Sequence, residues 1–226
     1  MIYQGGFRRW LFALALCVIA VLVSVSYVDR PAAGFLDTHV RHTELWGWLV
    51  HLLGPFVLIP VVALLFLLGL GWWVLSGRSL RGWTLKPMLC SWSAIWALAA
   101  EFVFKQIFGR AWPDPGYVEN HLYGFRFLHG GPHWDSFPSG TATISAAIVA
   151  TLWHVAPRLR LPSMFFAVLL CGGVVVTNGH WVSDVIAGAF LGASIGWMTV
   201  LLLSSRVPPT HPADPSMSDT RFHPDG

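Results

Sequence analysis

The stretch VSDVIAGAFLGASIGWMTVLLL, residues 182–203, decides the fold class of this chain. A helix needs about 20 mostly apolar residues to cross the hydrocarbon core of a bilayer, and Asp184 is the one charged residue in this stretch. Gly188, Gly192 and Gly196 recur at every fourth position, a spacing that lets packed membrane helices approach closely. The stretch therefore predicts a transmembrane helix that packs against another helix.

The composition of the whole chain agrees with a membrane protein. Of its 226 residues, 55% are hydrophobic and 11% are charged, whereas soluble domains usually carry about a quarter charged residues. The net charge is only +3, and the basic residues are scattered between apolar runs, which argues against a nucleic-acid-binding surface. The three cysteines lie in apolar runs and indicate neither a metal site nor a disulfide framework.

Hydropathy predicts an all-α, polytopic membrane helix bundle with six transmembrane helices. The predicted spans are residues 10–28, 46–75, 87–108, 140–155, 162–176 and 182–203. The first lacks a small-residue cleavage site, so we interpret it as a retained helix and not as a signal peptide. The fourth is the least apolar, and we include it because the loops on either side require a crossing. Residues 1–206 then form one transmembrane domain, and the polar, Pro-rich tail 207–226 is predicted to be disordered and cytoplasmic.

Lysine and arginine residues predict the orientation, because they are enriched in cytoplasmic loops. With six spans, nine of the 14 fall on the side that holds both termini, and five fall on the other side. Both termini are therefore predicted to be cytoplasmic, and the loops 29–45, 109–138 and 177–181 to face outwards. Segment 29–45 mixes charged and apolar residues and is predicted to lie along the outer interface as an amphipathic helix.

Three polar segments are predicted to meet at the outer face. They are KQIFGRAWPDP after the third span, FPSGTAT before the fourth, and NGHWVSDV before the sixth. Ser139 and Gly140 of the second segment open a helix, whose free N–H groups and dipole favour an anion. Lys105 and Arg110 of the first segment add positive charge that suits phosphate.

His180 and Asp184 of the third segment lie four residues apart on one helical face, so the carboxylate can fix the tautomer of the imidazole. Together the segments describe an anion site with a positioned histidine, which suits phosphoryl transfer through a phosphohistidine. Taken singly, they also fit structural roles: interfacial cations, a helix cap, and a packed His–Asp pair. Glu101 lies four residues before Lys105 and fits either an ion pair with that lysine or a proton relay.

The order and spacing of these segments resemble the type-2 phosphatidic acid phosphatase family, which shares its site with vanadium haloperoxidases. The family pattern is Lys, six residues and Arg-Pro; then Pro-Ser-Gly-His; then Ser-Arg, five residues, His, three residues and Asp. Lys105 and Pro113 fit the first motif, residues 138–140 the second, and His180 and Asp184 the third. The resemblance covers residues 99–196, and Trp-Pro in place of Arg-Pro is similar to a bacterial subgroup.

The resemblance implies an enzyme of the bacterial inner membrane that removes phosphate from a lipid phosphate or diphosphate, of phospholipid, polyprenyl or lipid A type, at the outer face. It implies that His180 is the nucleophile on phosphorus and that Asp184 orients it. Lys105, Ser139 and Gly140 are then expected to hold the phosphate oxygens. Because such hydrolases use no metal and no other cofactor, we expect neither.

Three positions depart from the family pattern. The arginine of the first motif falls on Trp112, the histidine of the second on Thr141, and the arginine of the third on Val174. Arg110 and Arg126 are candidates to replace the lost cations, and we include Thr141 in the predicted phosphate site.

The lost histidine is the family's general acid, and protonation of a basic lipid alcohol is commonly worth about 10²–10⁴-fold in rate. Three alternatives follow: the enzyme prefers lipid diphosphates, His133 or His129 of the outer loop supplies the proton, or the site binds phosphate without turnover. Transfer of the phosphate to a second lipid would use the same residues. A transporter is disfavoured, because transporter sites usually lie near the membrane midplane.

Overall fold

The computed structural model describes residues 2–76 and 82–204, and in these ranges the chain forms nine α-helices with short π- and 3₁₀-helical turns between some of them. The helices are α1 (Ile2–Val23), α2 (Asp29–His39), α3 (Glu44–Leu53), α4 (Ile59–Leu75), α5 (Gly82–Phe108), α6 (Val118–Asn120), α7 (Gly140–Val155), α8 (Arg160–Val176) and α9 (Val182–Ser204). The predicted all-α class is confirmed. The predicted disordered tail, 207–226, lies outside the described residues.

Four helical stretches in the described ranges are long and apolar enough to cross a membrane: Gly6–His39, Lys86–Phe108, Pro157–Val176 and Val182–Leu203. Two shorter apolar helices, Val62–Leu75 and Gly140–Val155, accompany them. The protein is therefore consistent with a polytopic helix bundle, and the count of six spans stays a prediction.

Two predicted stretches differ from the structure. Helix α1 continues through a π-helical segment, Ser24–Val28, into α2, so the start of predicted segment 29–45 extends the first helix. The predicted single span 46–75 is two helices, α3 and α4, separated by a 3₁₀ segment at Gly54–Leu58. Pro55 lies in that segment, and because proline has no N–H to donate, it interrupts a helix at this position.

Helix α7 lies at the centre of the bundle and packs against α5, α8 and α9. A Cβ added at Gly188 would lie 2.6 Å from the carbonyl oxygen of Ser139, and a Cβ at Gly192 would clash with the Thr143 backbone. A Cβ at Gly196 would likewise clash with the α7 backbone. The predicted close packing through these glycines is confirmed, and it sets the N-terminal ends of α7 and α9 side by side.

The outside of the bundle is apolar. Phe12 on α1 is 68% exposed, Leu68 on α4 61% and Phe166 on α8 62%. Soluble monomers rarely expose such extensive apolar surface, whereas a helix bundle in lipid is covered by it. The interior is built from smaller residues, including Ala94, Ala97, Ile144 and Ala147 where α5 meets α7.

Candidate active site

Gly109 ends α5 and starts the loop that carries Arg110 into the bundle. Its φ of 50° lies in the left-handed region, and its N–H donates to the Lys105 carbonyl at 3.1 Å, which closes the helix. The Arg126 N–H donates to the Gly109 carbonyl at 2.6 Å, and the Ser136 N–H donates to the Arg110 carbonyl at 3.0 Å. These bonds hold the loop across the end of α5 with the Arg110 side chain inside the protein.

Arg110 is fully buried and joins two carboxylates from different helices. One of its terminal nitrogens lies 2.5 Å from both Asp184 Oδ1 and Ser183 Oγ, and the other lies 2.6 Å from Asp29 Oδ2. Burial alone would lower the pKa of the guanidinium, but the attraction of Asp184 and Asp29 outweighs it, so the pKa of Arg110 is raised. We call these four residues the Arg110 cluster, and Arg110 stays charged within it.

Asp29 is a member of this cluster that the sequence analysis missed. Its carboxylate accepts hydrogen bonds from the Ser183 N–H at 3.1 Å and from the Ser183 hydroxyl at 2.5 Å. Asp29 and Ser183 lie 154 positions apart in the chain, so no local sequence pattern indicates that they pair. The available signal was a carboxylate directly after an apolar span, a position that is costly for a charge unless it is paired.

His180 lies beside the Arg110 cluster, two residues before α9 begins. Its Nδ1 lies 3.5 Å from Asp184 Oδ2, an oxygen that also accepts from the Ser136 hydroxyl at 2.5 Å and the Trp181 N–H at 3.2 Å. The Trp112 ring packs on the imidazole, with 4.7 Å between the ring centroids. The carboxylate therefore faces Nδ1 and leaves Nε2 of His180 for the cavity described next.

A cavity of about 430 Å³ brings four of the predicted site residues together. Its polar lining consists of Glu101, Lys105, Gly140, Thr141, Ser145, Thr177 and His180. Its remaining lining consists of Val50, Leu53, Gly54, Ile59, Leu98, Ile144, Leu170 and Val174. The predicted ion pair is present, with 2.7 Å between Lys105 Nζ and Glu101 Oε1. A cavity with this lining suits a ligand that carries both an anionic group and an apolar chain.

Ser139 fixes the position of α7 next to α9. Its N–H donates to the Asp184 carbonyl at 3.1 Å, and its hydroxyl caps α7 by accepting from the Ala142 N–H at 3.4 Å. Ser139 is fully buried and is not among the cavity-lining residues, whereas Gly140 is. The N-terminus of α7 therefore meets the cavity through Gly140 and Thr141.

The predicted residues thus fall into three groups. Lys105, Gly140, Thr141 and His180 line the cavity, while Asp184, Arg110 and Ser139 are buried behind it. Arg126, His129 and His133 belong to the outer loop and do not line the cavity. The Arg126 guanidinium lies 4.0 Å from the centroid of the Trp134 ring, and both histidines are exposed.

The three departures from the family pattern meet at the cavity. Thr141 and Val174 line it, and Trp112 packs on His180 while its Nε1 donates to Asp135 at 2.7 Å. Lys105 Nζ also lies 5.4 Å from the centroid of the Trp112 ring. Uncharged side chains therefore occupy all three positions. Among the residues that the structure describes, no group of three or more His, Cys, Asp or Glu side chains is placed to hold a metal ion.

Comparison with known proteins identifies relatives of the chain and its family. The chain is 28% identical over 201 residues to a lipid A 1-phosphatase of Rhizobium etli, covering 85% of this chain and 83% of that protein. It is 28% identical over 206 residues to a lipid A 1-phosphatase of Rhizobium johnstonii, covering 87% of this chain and 82% of that protein. No solved structure matches the chain significantly. The family model of the PAP2 superfamily matches residues 87–208, which include every cavity-lining residue from α5 onwards, and the chain belongs to that superfamily.

Proposed function

We propose that this protein is a membrane phosphatase that removes phosphate from a lipid phosphate or lipid diphosphate through a phosphohistidine on His180. The observation that carries the proposal is the cavity, because it combines Lys105, the N-terminus of α7 and His180 with an apolar lining. Membership of the PAP2 superfamily and the similarity to lipid A 1-phosphatases support the same reaction class.

The substrate phosphate would bind at the polar end of the cavity. Lys105 supplies the positive charge there, and the backbone N–H groups at Gly140 and Thr141 supply the donors of a helix N-terminus. Nε2 of His180 attacks phosphorus, and the bond from phosphorus to the leaving oxygen breaks. Asp184 stabilises the imidazolium character that His180 gains in this step.

Water then completes hydrolysis. It attacks phosphorus of the phosphohistidine, the N–P bond breaks, and inorganic phosphate leaves with His180 restored. Transfer to the hydroxyl of a second lipid would follow the same route with a different acceptor, so the products decide between phosphatase and phosphotransferase.

The Arg110 cluster would position the nucleophile in this mechanism. Arg110 has both terminal nitrogens engaged by Asp29, Ser183 and Asp184 and is fully buried, which leaves Lys105 as the cation of the described cavity lining. We therefore assign Arg110 to holding Asp184, and through it His180, in place.

The apolar lining of the cavity favours a lipid substrate. Leu53, Leu98, Ile144 and Leu170 come from four different helices and surround the space next to the polar end. Lipid A is the first substrate to test, because the relatives in Rhizobium are lipid A 1-phosphatases. A phospholipid monophosphate and a polyprenyl diphosphate test the other two classes.

Phosphate release by the protein purified in detergent tests the proposal. We expect release from at least one of the three lipids, unchanged by EDTA and abolished in His180→Ala. His154→Ala is the matched control, because His154 is exposed at the far end of α7. Binding of these lipids without release of phosphate would support a non-catalytic lipid-phosphate-binding protein instead, and activity that persists in His180→Ala would overturn the mechanism.

A further inference from the structure

The Glu101 carboxyl lies at the start of α7, where the proposed function puts the substrate phosphate. Glu101 is 7% exposed and lines the cavity together with Lys105, Gly140 and His180. A Cβ built on Gly140 would lie 2.7 Å from the carboxyl carbon of Glu101, so the carboxyl group packs directly on the Gly140 backbone. The Glu101 carboxyl and a bound phosphate would therefore share one end of the cavity.

The charges around Glu101 are few. The described residues that line the cavity include three charged or titratable groups, namely Glu101 and Lys105 on α5 and His180 before α9. Helices α3, α4, α7 and α8 contribute apolar side chains, backbone groups and hydroxyls. In the free protein Lys105 Nζ, at 2.7 Å, balances the Glu101 carboxylate.

A bound substrate phosphate would disturb the ion pair between Lys105 and Glu101. A phosphate dianion that pairs with Lys105 leaves the Glu101 carboxylate beside a second negative charge and without its partner. Like charges at short range disfavour the ionised form of a buried carboxyl group. Uptake of one proton by Glu101 removes the repulsion and leaves a carboxylic acid next to the phosphate.

We propose that Glu101 is the general acid and base of the reaction, in place of the histidine that the family pattern has at position 141; this inference rests on the proposed function. As the bond between His180 Nε2 and phosphorus forms and the bond to the lipid oxygen breaks, the Glu101 hydroxyl gives its proton to that oxygen. The Glu101 carboxylate then accepts a proton from the water that attacks the phosphohistidine. Glu101 is then protonated beside inorganic phosphate, and when the phosphate leaves, Glu101 releases the proton that it took up on substrate binding and pairs with Lys105 again, so the cycle is balanced.

Other proton donors are less well placed. Thr141 lines the cavity, but an alkyl hydroxyl is too weak an acid for this step. His129 and His133 are exposed on the outer loop and do not line the cavity. The Tyr123 hydroxyl donates to the Val25 carbonyl and does not line the cavity either.

Glu101→Gln tests the inference with two substrates that differ in their leaving group. Release of a basic alkoxide from a lipid monophosphate needs a proton, whereas p-nitrophenolate leaves from p-nitrophenyl phosphate without one. The rate compared is that of leaving-group release in a single turnover, because loss of the base slows the later hydrolysis of the phosphohistidine for both substrates. We expect release of the lipid alcohol to slow by about 10²–10⁴-fold and release of p-nitrophenolate to change little. The dissociation constant of p-nitrophenyl phosphate, obtained from the concentration dependence of the single-turnover rate, should fall, because the variant lacks the negative charge that competes for Lys105. Glu119→Gln is the matched control, since Glu119 is an exposed carboxylate paired with Arg41 at 3.3 Å.

The outcomes separate this inference from the proposed function. Loss of p-nitrophenyl phosphate hydrolysis in His180→Ala would support His180 as the nucleophile independently of Glu101. A wild-type protein that is inactive on every substrate would overturn both the proposed function and the role of Glu101. With an active wild type, an equal fall in the single-turnover rates of leaving-group release from both substrates in Glu101→Gln would make Glu101 a structural partner of Lys105 and overturn the inference. Unchanged activity on both substrates would overturn it as well, as would a selective loss of lipid monophosphate activity in His133→Ala.

The wild type alone keeps the inference testable if Glu101→Gln does not fold. Single-turnover rates of leaving-group release from a series of phosphate monoesters are measured against the basicity of the leaving group. A proton donor neutralises the leaving oxygen, so we expect a shallow dependence on basicity. A steep fall in rate with increasing basicity would show that no acid acts, and would overturn the assignment of Glu101.

Discussion

Arg110 shows how the position of one residue changes its expected role. In the sequence it is a cation two residues before Trp112, and we predicted that it binds phosphate. In the fold it is fully buried, and its two terminal nitrogens lie 2.6 Å from Asp29 Oδ2 and 2.5 Å from Asp184 Oδ1. A guanidinium can hold two carboxylates at once through its planar fork, which a lysine cannot do in the same way.

Arg110→Met should therefore damage stability and activity together. Removing one partner of a buried ion pair commonly costs about 3–5 kcal/mol, because the charge that remains is uncompensated. We expect a lower midpoint of thermal unfolding in detergent and loss of phosphate release. Arg126→Met is the control, since Arg126 lies over an aromatic ring on the outer loop and its loss should cost about 1 kcal/mol or less. If Arg110→Met is as stable as the wild type and only KM for the substrate rises, then Arg110 binds phosphate and does not position Asp184.

At the scale of elements, the site depends on the contact between α7 and α9. Ser139 at the cap of α7 donates to the Asp184 carbonyl at 3.1 Å, and the glycines of α9 allow the two helices to approach. This contact sets Gly140 and Thr141 opposite His180. A change in the separation of the two helices should therefore lower the rate of phosphate release, even when no site residue is substituted.

Gly192→Val tests this coupling. Its side chain would clash with the Thr143 backbone, and overpacking of this kind typically costs about 1–3 kcal/mol. We expect a lower unfolding midpoint and a lower kcat for phosphate release. Gly172→Val on α8 is the matched control, because nothing lies within 4 Å of a Cβ added there. Equal effects of the two substitutions would show that the α7–α9 distance does not matter.

The sequence predicted elements best where the pattern is local. The predicted span 140–155 coincides with α7, and the predicted span 87–108 ends with α5 at Phe108. The interruption at Gly54–Leu58 was missed because apolar residues continue through it and hydropathy does not register a change of helix type. Motif order and helix ends predict one face for Lys105, Gly140, Thr141 and His180, and all four line the cavity; their roles stay predictions.

The sequence does not predict which side chains pair when they lie far apart in the chain. Asp29 and Ser183 are far apart in the chain, and nothing near either residue indicates the other. The sequence indicates an ion pair with Lys105 or a proton relay for Glu101, but it does not predict the contact with Gly140, because that contact depends on how α5 packs against α7. Hydropathy and spacing locate helices and their faces, but which side chains meet across a bundle depends on its packing.

At the scale of the whole molecule, we propose that both termini are cytoplasmic and that the site faces outwards. The distribution of lysine and arginine supports this orientation, because nine of 14 lie on the proposed inner side. A cysteine placed at exposed His133, in a chain whose own three cysteines are replaced, should react with a membrane-impermeant maleimide in intact cells. A cysteine at exposed Arg8 should react only after the membrane is permeabilised. The reverse pattern would contradict the orientation.

The central claim is that His180 carries phosphate during turnover, and trapping the intermediate tests it most directly. The purified protein is mixed with lipid substrate labelled in its phosphate, quenched in alkali within a single turnover, and digested for peptide analysis. Phosphohistidine survives alkali, so we predict label on the peptide that contains His180, and no label in His180→Ala. Rapid phosphate release with no labelled protein at any quench time, or label on a residue other than His180, would contradict the account.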